Sequence, residues 1–192
     1  MAKTKRCEWA GSDPTMIAYH DEEWGTPVHT DKDLYEFIIL EGAQAGLTWS
    51  SILNRREGYR QAFMNFDVRT VACFSESDYE RLLLDPSIIR NKLKIKSAIT
   101  NAKQFIIVQE EFGSFDQYLW QYVNYKPIQN EFKTLSEIPA YTEISIELSK
   151  DLKKRGFSFV GPTICYAFMQ AIGMVNDHVI DCFRYDEIKK LS

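Results

Sequence analysis

The chain carries only three histidines and four cysteines among 192 residues, and four of those seven stand near its two ends. Twelve residues lie between Cys7 and His20, and three lie between His178 and Cys182 in the stretch NDHVIDC. A pair spaced like the latter shares one helical face. Two sulfurs and two imidazole nitrogens are a preferred tetrahedral donor set for structural zinc. Closing it would tie down the terminal segments, which are the most prone to fray. The same residues also fit a plainer arrangement of two buried thiols and two incidental histidines, because the halves lack compact finger spacing. His29, in a polar turn, is expected to face solvent.

Glu41 is a second candidate. It continues the stripe of Leu34, Phe37 and Ile38 at helical spacing, which points it toward the interior. A buried carboxylate is costly unless paired or neutralised. It therefore either faces a cavity, as perturbed carboxyls at functional sites do, or caps a neighbouring helix, or pairs with an arginine such as Arg55 or Arg56. Trp9, Tyr19, Trp24 and Trp49 crowd the first fifty residues. Flat π faces beside a carboxylate suit a planar cation, although any one of these rings could simply fill core. A third candidate is the turn KKRGFSFVGPT, where Lys154 and Arg155 precede Gly156, and Gly161 opens the next helix. Amides at a helix start can hold an anion, and nearby cations add a sequence-independent grip on a phosphodiester. An ordinary helix–helix connection has the same composition.

Helices must carry these residues. Thr30 and Asp33 give a capping-box-like start to a helix that ends at Gly46. A second helix is expected to carry Ile52, Leu53, Tyr59 and Phe63. A third is expected after DPS, carrying Ile88, Ile89, Ile95 and Phe105. SFDQYLWQYV, a helix ending at KKRG, and the apolar TICYAFMQAIG complete the set. Strand-like alternation is nearly absent, so the fold class is all-α. A hydrophobic fraction of 45% suffices for one domain over residues 1–192, or two lobes sharing a core. The basic amino terminus has no apolar stretch behind it, which predicts a cytoplasmic protein with reduced thiols. The net charge of −4 gives no global pull toward nucleic acid. Only local patches, RNKLKIK and KDLKKRG, could bind phosphate, and each alone reads as a solvated helix face.

Taken together, RCEWAGSDP, IAYHDEEWGTPVHTD, LEGAQAGLTWSSIL, TLSEIPA and LSKDLKKRGFSFVGPTICYAFMQAIGMVNDHVIDC resemble the bacterial 3-methyladenine DNA glycosylase I family. That family is a branch of the helix-hairpin-helix glycosylase superfamily. The resemblance implies one glycosylase domain of two packed helical lobes, acting on double-stranded DNA that contains 3-methyladenine; for so small a repair enzyme a monomer is the default expectation. It implies a structural Zn2+ held by Cys7, His20, His178 and Cys182. It matches Glu41 to the glutamate that reads the flipped base, and Trp49 and Tyr19, with Trp9 and Trp24 nearby, to the aromatic pocket. Leu47 in AGLTW matches the wedge beside the abasic gap, and GFSFVG matches the hairpin that holds the strand, with Lys154, Arg155, Gly156 and Gly161 around it.

Asn176, in VNDH, stands where the wider superfamily carries its catalytic aspartate, which this branch also lacks. Asp177 is offset by one residue and adjoins a metal ligand, so an orienting role is the most it suggests. No lysine follows the hairpin, which implies base removal without strand cleavage. A methylated adenine is cationic and already a good leaving group, so extrusion and recognition would be the enzyme's main contribution. The alternative is a zinc-stapled module that recognises lesions without chemistry.

Overall fold

A computed structural model describes residues 5–191. Eleven α-helices run through them: α1 (Pro14–Glu22), α2 (Asp31–Gln44), α3 (Trp49–Leu53), α4 (Arg56–Ala62), α5 (Val68–Ala72), α6 (Glu76–Leu84), α7 (Lys92–Phe112), α8 (Phe115–Trp120), α9 (Glu143–Lys154), α10 (Pro162–Ala171) and α11 (Phe183–Lys189). The protein is mostly helical, as its sequence periodicity predicts. Nearly all of its buried apolar residues form one continuous cluster. No helix among the described residues is long and apolar enough to cross a membrane.

The cluster is organised around α2. Thr30 Oγ1 accepts from the amide of Asp33 at its start, and every residue from Leu34 to Ala43 is buried. A helix buried on all sides needs cover on all sides, and α3, α7, α8 and α10 supply it. Tyr35 donates its hydroxyl to the carbonyl of Ala98 on α7 at 3.0 Å, satisfying the one polar atom its ring brings inside.

Two expected helices are differently bounded. The stretch from Ile52 to Phe63 is divided into α3 and α4, because the chain leaves helical geometry at Arg55 (φ −112°, ψ 2°). Ile88 and Ile89 precede α7 rather than belong to it. The Asn91 side chain accepts from the amides of Leu93 and Lys94 and starts that helix later. A single parallel bridge, Ile128–Gln129 beside Val175–Asn176, is the only strand pairing among the described residues.

Backbone hydrogen bonds bring the two end segments of the chain together. Gly25 and Val28 donate their amides to the carbonyls of Gln170 and Ile172 at 3.1 and 3.0 Å, and Phe183 donates to Lys5 at 3.0 Å. Gly173 makes the approach possible. It has φ +74°, and a Cβ there would lie 2.5 Å from the nitrogen of Pro27. Any other residue would force the two segments apart.

Candidate active site and metal centre

His20 lies near the end of α1, Cys7 precedes it by one short 3-10 turn, and Cys182 is the residue before α11. The described structure brings these three and His178 into one buried group, with ligand atoms all within 4.8 Å of one another. Cys182 Sγ is 3.5 Å from His20 Nε2 and 3.6 Å from His178 Nδ1, and Cys7 Sγ is also 3.6 Å from His178 Nδ1. Zinc bonds of roughly 2.3 Å to sulfur and 2.0–2.1 Å to nitrogen, set tetrahedrally, put neighbouring S and N atoms about 3.5 Å apart. The donor set therefore fits such an ion.

The remaining ring nitrogens are also committed. His20 Nδ1 lies 2.7 Å from Asp21 Oδ1, and His178 Nε2 lies 3.0 Å from the carbonyl oxygen of Trp24. Each acceptor fixes the N–H on its own side of the ring, leaving the other nitrogen's lone pair facing the sulfurs. Arg6 grips Asp21 with Nε and Nη2 at 2.7–2.9 Å, holding that carboxyl below its usual range. His29 is exposed, as expected, and pairs with Asp116 Oδ1 at 2.8 Å.

The cysteine–histidine group touches a cavity of about 410 Å³ through two tryptophans. The Trp24 ring lies 4.6 Å from that of His178, the Trp9 ring 5.2 Å from that of His20, and the two indoles 4.9 Å from each other. Tyr19 and Trp49 continue the wall, 5.3 Å apart at 50°. All four candidate aromatics line this cavity together with Glu41.

Glu41 is 5% exposed and has no hydrogen bond or ion pair among the described residues. Burial pushes its carboxyl up to about 8. The alternative of an arginine partner is settled by Glu36, the other buried acid on α2. Glu36 takes Arg56 Nε at 2.6 Å, and Arg56 also holds Glu23 at 2.6 Å. Arg55 donates to the Ser51 carbonyl instead. One buried acid is thus neutralised, and the other opens into an aromatic cavity without a counter-charge. That arrangement can receive a flat cation bearing hydrogen-bond donors.

The turn beyond α2 projects Leu47, which is 39% exposed. Gly46 adopts φ +75°, and the Gln44 side chain closes the turn by donating to the Leu47 carbonyl at 2.8 Å. Lys94, from the basic patch RNKLKIK, is spent on structure there. Its Nζ donates to the carbonyls of Ala43 and Ala45, both at 2.7 Å.

The hairpin between α9 and α10 is held from inside. Asn101 exchanges two hydrogen bonds with the backbone of Ser158, at 2.9 and 3.0 Å. Gly156 and Gly161 bound the hairpin, at φ +93° and at the start of α10 respectively, and Lys154 is exposed beside it. Arg155 is drawn onto the protein by Glu111 at 2.7 Å and Asp151 at 2.8 Å, and it lies over the rings of Phe112 and Tyr118.

Sequence reading missed the opposite wall of the cavity. Thr163, Tyr166, Ala167 and Gln170 line it, at the i, i+3, i+4, i+7 spacing of one face of α10. The signal lies within TICYAFMQ, where two polar side chains interrupt an apolar helix on one face.

Comparison with known proteins gives a consistent result. The family model described as methyladenine glycosylase matches residues 9–185. The DNA-3-methyladenine glycosylase 1 of Escherichia coli (strain K12) is 50% identical over 181 residues, which cover 94% of this chain and 97% of that one. A crystal structure of a 3-methyladenine DNA glycosylase I superposes with a TM-score of 0.91 at 47% identity, covering 93% and 98% of the two chains. The Staphylococcus aureus enzyme, solved to explain 3-methyladenine recognition, superposes with a TM-score of 0.91 at 34% identity over 94% and 96%.

Proposed function

The chain belongs to the methyladenine glycosylase family, and from that premise we propose how its own residues carry out the release of 3-methyladenine from alkylated DNA. The observation that carries the proposal is the unpartnered carboxyl of Glu41 in an aromatic-walled cavity large enough for a purine.

A purine methylated at N3 is positively charged in DNA. Once the nucleotide is flipped out of the duplex, the base enters between Trp49 and Tyr19, with Trp9 and Trp24 behind them. Their π faces attract the cation most strongly where water is excluded. Glu41 accepts a hydrogen bond from the base's polar edge. Arrival of a cation favours its ionised form, so the cost of burying the carboxylate is offset by the lesion and not by an undamaged base. When the glycosidic bond breaks, its electron pair leaves with the base, which departs neutral. Water adds to the sugar carbon, loses a proton and leaves an abasic site. Leu47 fills the gap in the duplex, as apolar wedges do. The helix-hairpin-helix segment with Lys154, Arg155, Gly156 and Gly161 holds the strand backbone. Because Arg155 is already neutralised by Glu111 and Asp151, Lys154 carries more of the phosphate attraction.

Cys7, His20, His178 and Cys182 would hold a zinc ion that serves structure. Four protein ligands leave no open position for a catalytic water. We take the protein to act as a single domain of two packed helical lobes, as a monomer, on double-stranded DNA in the cytoplasm.

The test is incubation with methylated duplex DNA, with analysis of released bases and of metal in the same sample. Release of 3-methyladenine with one zinc per chain is expected. Zinc-loaded protein that binds the DNA and releases no base would make it a lesion-binding module instead.

A further inference from the structure

Asp177 is fully buried and pairs with no cation among the described residues. Its carboxyl takes three hydrogen bonds, each 2.7 Å long: Oδ1 from Asn130 Nδ2, and Oδ2 from Tyr166 Oη and Gln170 Nε2. The last two donors line the cavity that holds Glu41.

A carboxylate only accepts hydrogen bonds, so it dictates the polarity of every group that touches it. Gln170 must turn its NH₂ toward Asp177, which leaves its amide oxygen free for the cavity side. Tyr166 spends its only O–H on the same carboxylate oxygen, so its own oxygen can only accept. On the facing wall Glu41 brings an unpartnered carboxyl, and Gln44 has committed its NH₂ to the Leu47 carbonyl. The hydroxyl of Thr163, exposed on the α10 wall, can serve either way. The indole N–H of Trp49, which has no partner among the described residues, and the Tyr19 hydroxyl line the same cavity as donors. The α10 wall, through Gln170 and Tyr166, offers acceptors, and the edge of an occupant that meets it should bring donors.

We propose that Gln170, its amide oriented by Asp177, accepts a hydrogen bond from the exocyclic amino group of the bound base and so selects amino-bearing over carbonyl-bearing methylated purines. Asp177 is a positioning residue in this account, because it acts through Gln170. An amino group carries two N–H donors and can serve Gln170 and Glu41 at once. A carbonyl in the same place would face the Gln170 oxygen with no hydrogen between them, and unpaired buried acceptors are costly. The inference rests on the reading of this cavity as the base pocket.

The test is titration of the full-length, metal-loaded protein with two free bases: 3-methyladenine, and 3-methylhypoxanthine, in which a carbonyl replaces the amino group. The wild type is expected to prefer 3-methyladenine by about tenfold or more, the discrimination that one or two buried hydrogen bonds confer. Gln170→Leu should cut that preference by about tenfold through weaker 3-methyladenine binding, with 3-methylhypoxanthine binding nearly unchanged. Asp177→Asn, which lets the glutamine amide turn over, should erode the preference in the same direction. Gln170→Leu leaves the cysteine–histidine group untouched, so it decides the matter if Asp177→Asn fails to fold. A Gln170→Leu protein that keeps the wild-type preference, or loses affinity for both bases equally, overturns the proposal. A wild type that binds neither base overturns the base-pocket reading, and this proposal with it.

Discussion

Two groups of buried polar side chains lie one indole apart in this protein, and they are built on opposite terms. In the cysteine–histidine group every ring nitrogen has a partner. One nitrogen of each histidine faces the sulfurs, and the other meets Asp21 or the Trp24 carbonyl. In the cavity beside it Glu41 has none, and burial alone sets its protonation. Buried polar groups are normally satisfied, so one that is not invites an explanation in function. The contrast is between a group whose ring nitrogens are all engaged and a carboxyl that has no partner among the described residues. Trp9 and Trp24 join them, each packed against a histidine ring and each with a place in the cavity wall.

The largest effect should come from the satisfied side. Chelating the metal, or replacing Cys182 by alanine, should lower the melting temperature by more than about 10 °C, since structural zinc contributes folding energy directly. Base release should disappear with it, because the pocket's tryptophans lean on the histidines. A protein that keeps both after complete metal removal would break the link between the two regions.

The unsatisfied side should respond in the opposite sense. Glu41 has an ordinary carboxyl value of 4.5 in the unfolded chain and about 8 in the folded one. Between those values the folded chain keeps the proton and the unfolded chain has released it. Stability from this group is therefore intact below about pH 4.5 and is lost as pH rises toward 8, by up to about 5 kcal/mol. Glu41→Gln should abolish that slope, raising the melting temperature at pH 9 by roughly 10 °C and leaving it nearly unchanged at pH 4. Equal shifts at both pH values would show that Glu41 finds a partner in solution.

Smaller effects belong to the DNA-facing edge. Leu47→Ala should slow base release from duplex DNA about tenfold and change stability by under about 0.5 kcal/mol, because the side chain is half exposed. Single-stranded methylated substrate should hide most of that loss. Lys154→Ala should reduce the slope of log affinity against log salt by about 1. Arg155→Ala should change that slope less, since its charge is already met by Glu111 and Asp151.

Much of this was legible in the sequence, and the gaps have physical causes. The periodicity around Leu34, Phe37 and Ile38 placed Glu41 inside, but periodicity within one helix cannot say what faces it from another. Only the fold reveals that Arg56 goes to Glu36. Spacing left the cysteines and histidines open between a metal site and buried thiols, because their halves are joined by tertiary contacts; the family resemblance brought them together. The helix break at Arg55 and the late start of α7 escaped because side-chain caps and single residues at bridge-region angles decide such boundaries. Tyr166 and Gln170 were overlooked because an apolar helix with one polar face looks like core until its partner wall is known.

The central claim is that Glu41, left without a counter-charge, recognises the damaged base. Its most direct test compares the single-turnover release of 3-methyladenine from methylated duplex DNA by the wild type and by Glu41→Gln at equal zinc content. A variant slower by about a hundredfold or more, folded and still bound to DNA, is the expected result. A variant that releases the base as fast as the wild type would contradict it.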